Sequence, residues 1–193
     1  SDLIAEVEDT FDSERIVFPT DDNYDSVKEQ YASLYFDTSP TIILIPESSS
    51  EISLALLFAG ACDYIVAIRS GGHQYSALSS CDGSYNCLQI DMSLFDSIDY
   101  DVEDNLLTVG VGITLSTLYD SLVEFGVFLP TGECGGVGVG GHIQTGGYGR
   151  LGRSFGLFLD HVVAFQIVLA DGSVENIVAP DDDTTDFNDD LFK

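Results

Sequence analysis

Eleven of the nineteen glycines fall between Gly132 and Gly156. Glycine at that density works against any long regular helix or strand, because it loses the most backbone freedom on ordering. A flexible linker is the ordinary use of such a composition. Here, however, Val137, Val139, Ile143, Tyr148 and Leu151 are interleaved with the glycines, and apolar side chains gain by burial. The run from Pro130 through Cys134 to His142, continuing to Gly146-Gly147-Tyr148-Gly149, therefore reads as backbone lying flat against a large planar ligand. Gly136 to Gly141 also matches G-x-G-x-x-G literally, with Asp160 downstream at a fitting distance. A dinucleotide-binding turn of that type is rejected, since it needs a strand before and an amphipathic helix after, and neither is visible.

A second glycine site lies at Ile68-Arg69-Ser70-Gly71-Gly72-His73-Gln74-Tyr75-Ser76, directly after an apolar, β-branched run. Consecutive glycines allow positive φ and let several N–H groups converge on one point, which suits a diphosphate. The plainer reading is a Gly-Gly turn with an incidental histidine. Backbone dipoles matter here because the chain carries six basic and thirty-three acidic residues, a formal net charge of -27. Such a potential repels phosphate backbones and anionic lipid, so nucleic acid and membrane surfaces are not expected partners. No apolar run approaches the ~20 residues of a membrane helix.

The pattern along the chain predicts an α+β fold. Residues 1–39 read as a short amphipathic helix followed by an irregular stretch around Pro19. Thr41–Ile45 is a buried strand ending at Pro46, and Ser48 to Glu51 supply caps for a helix through Ala61. Tyr64–Ile68 and Leu88–Asp91 are the next strands, which makes residues 40–96 a small parallel βαβ lobe. Residues 97–180 form a second lobe with antiparallel strands. It holds a hairpin around Glu103-Asp104-Asn105, a helix with apolar residues at 115, 118, 122 and 125 stopped by Gly126, and a hairpin turned at Asp171-Gly172. Residues 181–193 read as an acidic, solvated tail.

Four cysteines are present. Cys81 and Cys87 flank a short polar loop and could form a local disulfide, which would place maturation in an oxidising compartment. Cys62 reads as a small buried residue, and Cys134 has no evident partner. His142 reads as hydrogen-bonded within the glycine loop. No metal site is expected. The start at Ser1, without Met or leader, is what a removed secretion signal would leave, as would a sequence that begins partway along its protein.

Together these motifs resemble the berberine bridge enzyme-like family, of the vanillyl-alcohol-oxidase (PCMH) type of FAD-linked oxidases. Arg69-Ser70-Gly71-Gly72-His73, Cys134 with Val137-Gly138-Val139-Gly140-Gly141-His142, and Gly146-Gly147-Tyr148-Gly149 carry the resemblance. Arg153-Ser154-Phe155-Gly156-Leu157, Asp160-His161-Val162-Val163 and Asp171-Gly172 follow in order, and Phe18-Pro19, Tyr24 and the Pro40-to-Pro46 strand also fall where that family has them. The resemblance implies a PCMH-type FAD-binding domain of two subdomains. It further implies FAD attached twice, by a His73 ring nitrogen to the 8α carbon and by the Cys134 sulfur to C6. Arg69 to Ser76, including Gln74 and Tyr75, would wrap the diphosphate. Val137, Gly138, Gly140, Gly141, His142, Gly146, Gly147, Tyr148 and Gly149 would line the flavin, and Val162 would meet it through its backbone. Many N–H donors around an unpaired Cys134 would favour its thiolate.

The implied activity is oxidation of a hydroxylated small molecule, such as a carbohydrate, by hydride transfer to flavin N5, with O2 as acceptor. A secreted, extracellular or lumenal setting is expected from the candidate disulfide. Two departures are expected. Thr145 replaces a glycine common in the family and would crowd its loop slightly, and Asp190-Leu191-Phe192-Lys193 resembles the approach to a further helix. The chain is thus expected to stop short of a substrate-binding domain that supplies the catalytic base, leaving the remainder of its own chain or a complementary fragment as partner. A flavin dehydrogenase with another acceptor, or a catalytically silent module of a larger extracellular assembly, are the alternatives.

Overall fold

The computed structural model describes residues 2–31 and 36–179. Three sheets and six helices follow from it in an α+β arrangement. The first sheet has β1 (Ile16–Val17), β2 (Ile42–Leu44), β3 (Ile65–Arg69) and β4 (Cys87–Asp91) in the order β1-β2-β4-β3. Strands β2, β4 and β3 are parallel, with Ile43 and Ala67 both opposite Gln89. The predicted βαβ unit is present, and β4 inserts between its two strands. Every residue of β4 is buried, as a central strand of a sheet covered on both faces requires. The two-residue β1, which the sequence does not announce, adds an antiparallel edge through Ile16 opposite Leu44.

Helix α3 (Ser49–Ala61) forms the crossover. The Ser48 hydroxyl accepts the Glu51 N–H, an orphan donor of the first turn, and the Glu51 carboxylate reaches back to the Glu47 N–H just ahead of the cap at 2.8 Å. Arg15 clamps the same carboxylate at 2.6 and 3.1 Å. Ile52, Ala55, Phe58 and Ala59 face Leu44, Leu88 and Ile90, and α1 (Asp2–Thr10) closes this core with Val7 and, just beyond the helix, Phe11. The other face of the sheet packs Ile43 on Val17 and on Tyr24, the first residue of α2 (Tyr24–Val27).

Strands β5 (Ile98–Asp101) and β6 (Leu106–Val109) form the first hairpin. Helix α4 (Leu115–Phe125) buries Leu115, Leu118 and Leu122 at helical spacing and ends at Gly126, whose φ of 71° only glycine adopts freely. Together with Ile113, Val139 and Phe158 these residues make a second core. Strands β7 (Ala164–Val168) and β8 (Val174–Val178) form the last hairpin, and its turn docks on α3 where the Ser53 hydroxyl donates to the Gly172 carbonyl.

Several details differ from the sequence reading. Two short helices, α5 (Val139–Gln144) and α6 (Gly152–Phe155), lie inside the glycine-rich stretch. Neither is an amphipathic helix preceded by a strand, so rejection of the dinucleotide turn holds. Cys62 is half-buried at the end of α3, not fully buried. Thr145 does not crowd its loop: its φ is -101°, which needs no glycine, and its hydroxyl donates to the carbonyls of His142 and Gly141. Cys81 and Cys87 form a disulfide with Cα atoms 6.2 Å apart, within the usual range. The acidic segment 181–193 lies outside the described residues. Among those described, no helix is long and apolar enough to cross a membrane.

Candidate functional site

The site is built where the loop leaving β3 meets the glycine-rich segment. Parallel strands deliver their C-terminal ends to one edge of the sheet, and β3 ends there at Arg69. Arg69 is paired with Asp91, its register partner on β4, at 3.0 Å, and it also donates to the Val27 carbonyl. The base of the loop is thereby fixed to the sheet and to the α2 segment.

Ser70 and Gly71 then press into the glycine run. The Ser70 hydroxyl donates to the Val111 carbonyl at 2.5 Å. A Cβ placed on Gly71 would collide with the Gly138 backbone, and one on Gly138 would collide with Gly71. Gly140 is confined as well, less tightly, by Val111 and the Ser70 hydroxyl. The run is held from its other side by α4: Leu115 and Ser116 donate their N–H groups to the Val137 and Gly135 carbonyls, while Val139 and Gly140 donate to Ile113 and Val111. These bonds satisfy the first turn of α4 and wind Val139–Gln144 into a helix despite its poor propensity.

His73 follows Gly72, which has a φ of 63°. The His73 ring is half-buried, and a Cβ on the exposed Gly136 would sit 3.7 Å from its Cδ2. Cys134, two residues before Gly136, is exposed and unpaired. The two residues expected to carry the covalent bonds thus belong to segments that touch. Gln74, Tyr75 and Ser76 are exposed; Gln74 binds its own loop by accepting the Leu78 N–H.

A second contact region joins residues 131–133 to the turn after α5. His142 accepts the Gly132 N–H at its Nε2, 2.9 Å away, so that nitrogen is unprotonated and the proton sits on Nδ1. Burial holds the His142 pKa below its ordinary value of 6.5. Gly146 and Gly147 take positive φ, and Gly149 lies directly on the Thr131 carbonyl, where no side chain fits. Tyr119 donates to the Gly132 carbonyl, and Glu133 pairs with Arg150. Gly141 and Tyr148 remain exposed. Val162 leaves the 3-10 turn Leu159–His161 in extended conformation, and Phe158 and Leu159 tie that turn to the Gly147 and Gly146 carbonyls. A cavity of about 310 Å³ is lined by Tyr119, Phe128, Pro130, Glu133, Arg150 and Leu151 among others.

Sequence reading does not find Tyr31, Val111 or Tyr119. Tyr31 stacks on His73 with ring centroids 3.9 Å apart. All three act across long sequence separations that no local spacing encodes.

Residues 40–177 match the family model described as FAD binding domain. "Berberine bridge enzyme-like 12" of Arabidopsis thaliana is 38% identical over 156 residues, covering 77% of this chain and 29% of the relative. Among solved structures, BBE-like 1 of Physcomitrella patens superposes with a TM-score of 0.80 at 30% identity, covering 87% of this chain and 36% of that one. The xylooligosaccharide oxidase of Myceliophthora thermophila, solved with xylobiose, gives a TM-score of 0.78 at 27% identity, covering 84% of this chain and 34% of that one. The chain therefore spans about a third of the length of the relatives it matches. Its glycine frame and its matches over 40–177 agree, and the chain belongs to the FAD binding domain family, among the berberine bridge enzyme-like FAD-linked oxidoreductases.

Proposed function

We propose that this chain is the FAD-holding part of a secreted FAD-dependent oxidase acting on a hydroxylated small molecule such as a sugar. Residues 40–96 and 97–180 are its two subdomains. FAD is held covalently at both His73 and Cys134. The observation that carries this reading is the junction itself: an exposed, unpaired Cys134 and a half-buried His73 stand on segments joined at Gly71 and Gly138.

The residues present fit the cofactor. The Gly71–Gly138 contact leaves no room for side chains, so backbone rather than side chains meets at the junction of the two segments. Gly141 has nothing within 4 Å of where a Cβ would sit, which leaves an open, flat approach. Backbone dipoles let a chain of net charge -27 accept a diphosphate. Bound FAD supplies the hydride acceptor, and O2 takes the electrons in turn. The chain's own residues hold and orient: Arg69 to Ser76 the diphosphate, the 137–149 glycine segment the flavin and ribityl chain, and Val162 the cofactor through its backbone. His142 stays neutral and keeps the Gly132 backbone, and with it the neighbouring Cys134, in place. The catalytic base and most of the substrate pocket come from the part of the protein beyond this chain. Likeness to a xylooligosaccharide oxidase supports a carbohydrate substrate.

Intact and peptide masses of the acid-denatured protein test the reading. FAD retained on peptides containing His73 and Cys134 is the expected result. Released FAD removes the covalent attachment, and a correctly folded complete protein without flavin removes the function.

A further inference from the structure

Tyr31 lies outside the matched region 40–177 and outside every motif described for the cofactor. Its placement is nonetheless specific. The Tyr31 and His73 rings stack at 3.9 Å between centroids and 17° between planes. Tyr75 joins from the far end of the loop, 5.5 Å from Tyr31 and 6.1 Å from His73. The Tyr31 N–H donates to the Gly72 carbonyl at 2.8 Å, next to the histidine it covers. The adjoining residues are fastened as well: Arg69 donates to Val27, and Ser79 donates to Gln30 at 2.6 Å. Gly72 is held against Arg69 and Gln30, with both within about 3 Å of the position a Cβ would take.

Ordinary core packing does not account for this contact, because Tyr31 is 58% exposed and Tyr75 69% exposed. The His73 ring stacks on Tyr31 and lies at a tilt to Tyr75, and the stack on Tyr31 holds its plane. One face is covered by Tyr31. The ring's Cδ2 lies 3.7 Å from where a Cβ on Gly136 would sit, and no other atom outside the adjoining residues comes within 4 Å of that point. We infer that Tyr31 is the positioning residue for flavin attachment at His73, stacking on the imidazole so that the ring is held in one plane beside the glycine run that carries Cys134.

This inference rests on the proposal that FAD bonds to His73. In that step a bond forms between the imidazole nitrogen and the flavin 8α carbon. The N–H proton and one 8α proton are given up, and the electron pair reduces the isoalloxazine. O2 then takes the pair with two protons as hydrogen peroxide. Tyr31 takes no part in the bond changes; it narrows the orientations of the ring before they occur.

The experiment uses the complete protein, prepared as apoprotein and mixed with FAD in air. Attachment is followed by the fraction of His73 peptide that carries flavin after acid quench. Tyr31→Ala and Tyr31→Leu are expected to attach about three- to tenfold more slowly, as loss of one aromatic stack implies, while Tyr31→Phe and Tyr31→Trp stay within about twofold of wild type. Leu keeps apolar bulk without a ring, so it separates stacking from filling space. Attachment at the wild-type rate in both the Ala and Leu variants overturns the inference. Equal slowing in the Phe and Trp variants overturns it too, because the ring is then not what matters. A wild-type protein that binds FAD without modifying His73 overturns the underlying proposal instead.

Discussion

Gly71 and Gly138 meet backbone to backbone, so that a methyl group on either would occupy main-chain atoms of the other. The contact joins the loop after β3 to the run that enters α5, across 67 residues of sequence (138 less 71). Neither glycine is explained by a positive φ; both are explained by closeness. Gly71→Ala and Gly138→Ala are each expected to lose about 3 kcal/mol in urea unfolding, the upper part of the overpacking range, because backbone and not a flexible side chain must move. Gly141→Ala separates fold from site. It lies in α5 with open space around it, so apoprotein stability is expected to rise by about 0.5–1 kcal/mol while flavin content falls. Equal loss of stability in all three variants would contradict this division.

Arg69 and Asp91 form the other anchor of the site. The Asp91 side chain is only 4% exposed, and its second oxygen accepts the Ser93 N–H at 2.9 Å. Asp91→Ala strands a positive charge and an N–H donor, with an expected cost of about 3 kcal/mol; the low end of the range applies because Arg69 keeps 20% of its side chain in water. Asp91→Asn retains an acceptor for Ser93 and is expected to cost less than half as much. Chemical denaturation of the apoprotein gives both numbers. Asn as damaging as Ala would mean that charge, and not acceptor geometry, dominates.

The sequence displays the elements that local chemistry specifies. The apolar runs at Thr41–Ile45 and Tyr64–Ile68 announce the strands found at Ile42–Leu44 and Ile65–Arg69, and Leu115, Leu118 and Leu122 with Gly126 announce α4 and its end. The hairpin at Asp171-Gly172 is equally plain, because its turn needs the positive φ that Gly172 adopts. By contrast, α5 is written Val-Gly-Gly-His-Ile-Gln and owes its turn to bonds donated by Val139 and Gly140 to the Ile113 and Val111 carbonyls, which no period reveals. Strand β1 is two residues long and exists only by pairing with β2. At the site, His73 and Cys134 are visible as odd residues among glycines. Tyr31 is one aromatic residue in a polar stretch, and only the fold sets it on His73.

Gln89 occupies the centre of the first sheet, between Ile43 and Ala67, and is fully buried. Among the described residues neither its Nε2 nor its Oε1 has a hydrogen-bond partner. A buried amide left in that state costs about 1–3 kcal/mol. Gln89→Met has nearly the same length and no donor or acceptor to desolvate, so Tm is expected to rise by about 2–4 °C. Calorimetry at one protein concentration checks it. A fall in Tm would instead assign the amide to a buried water that methionine expels.

His142 supplies the pH dependence. With Nε2 accepting the Gly132 N–H, protonation would set two donors against each other, and burial disfavours the cation as well. The folded pKa therefore lies below the unfolded value of about 6.5. Above that value neither state binds the proton and the linkage contributes nothing unfavourable. As pH falls below it, the unfolded chain takes up the proton first, and the contribution is lost until the folded pKa is passed. Acidification also relieves the self-repulsion of a chain with thirty-three acidic residues, so Tm alone mixes two effects. His142→Gln isolates the first, because its amide oxygen can accept the Gly132 N–H and does not titrate. The gap in Tm between wild type and His142→Gln is expected to shift against the wild type between pH 7.5 and pH 5.5. A gap independent of pH would mean that His142 is protonated as readily in the folded chain as in the unfolded one, and that the Gly132 bond does not fix its tautomer.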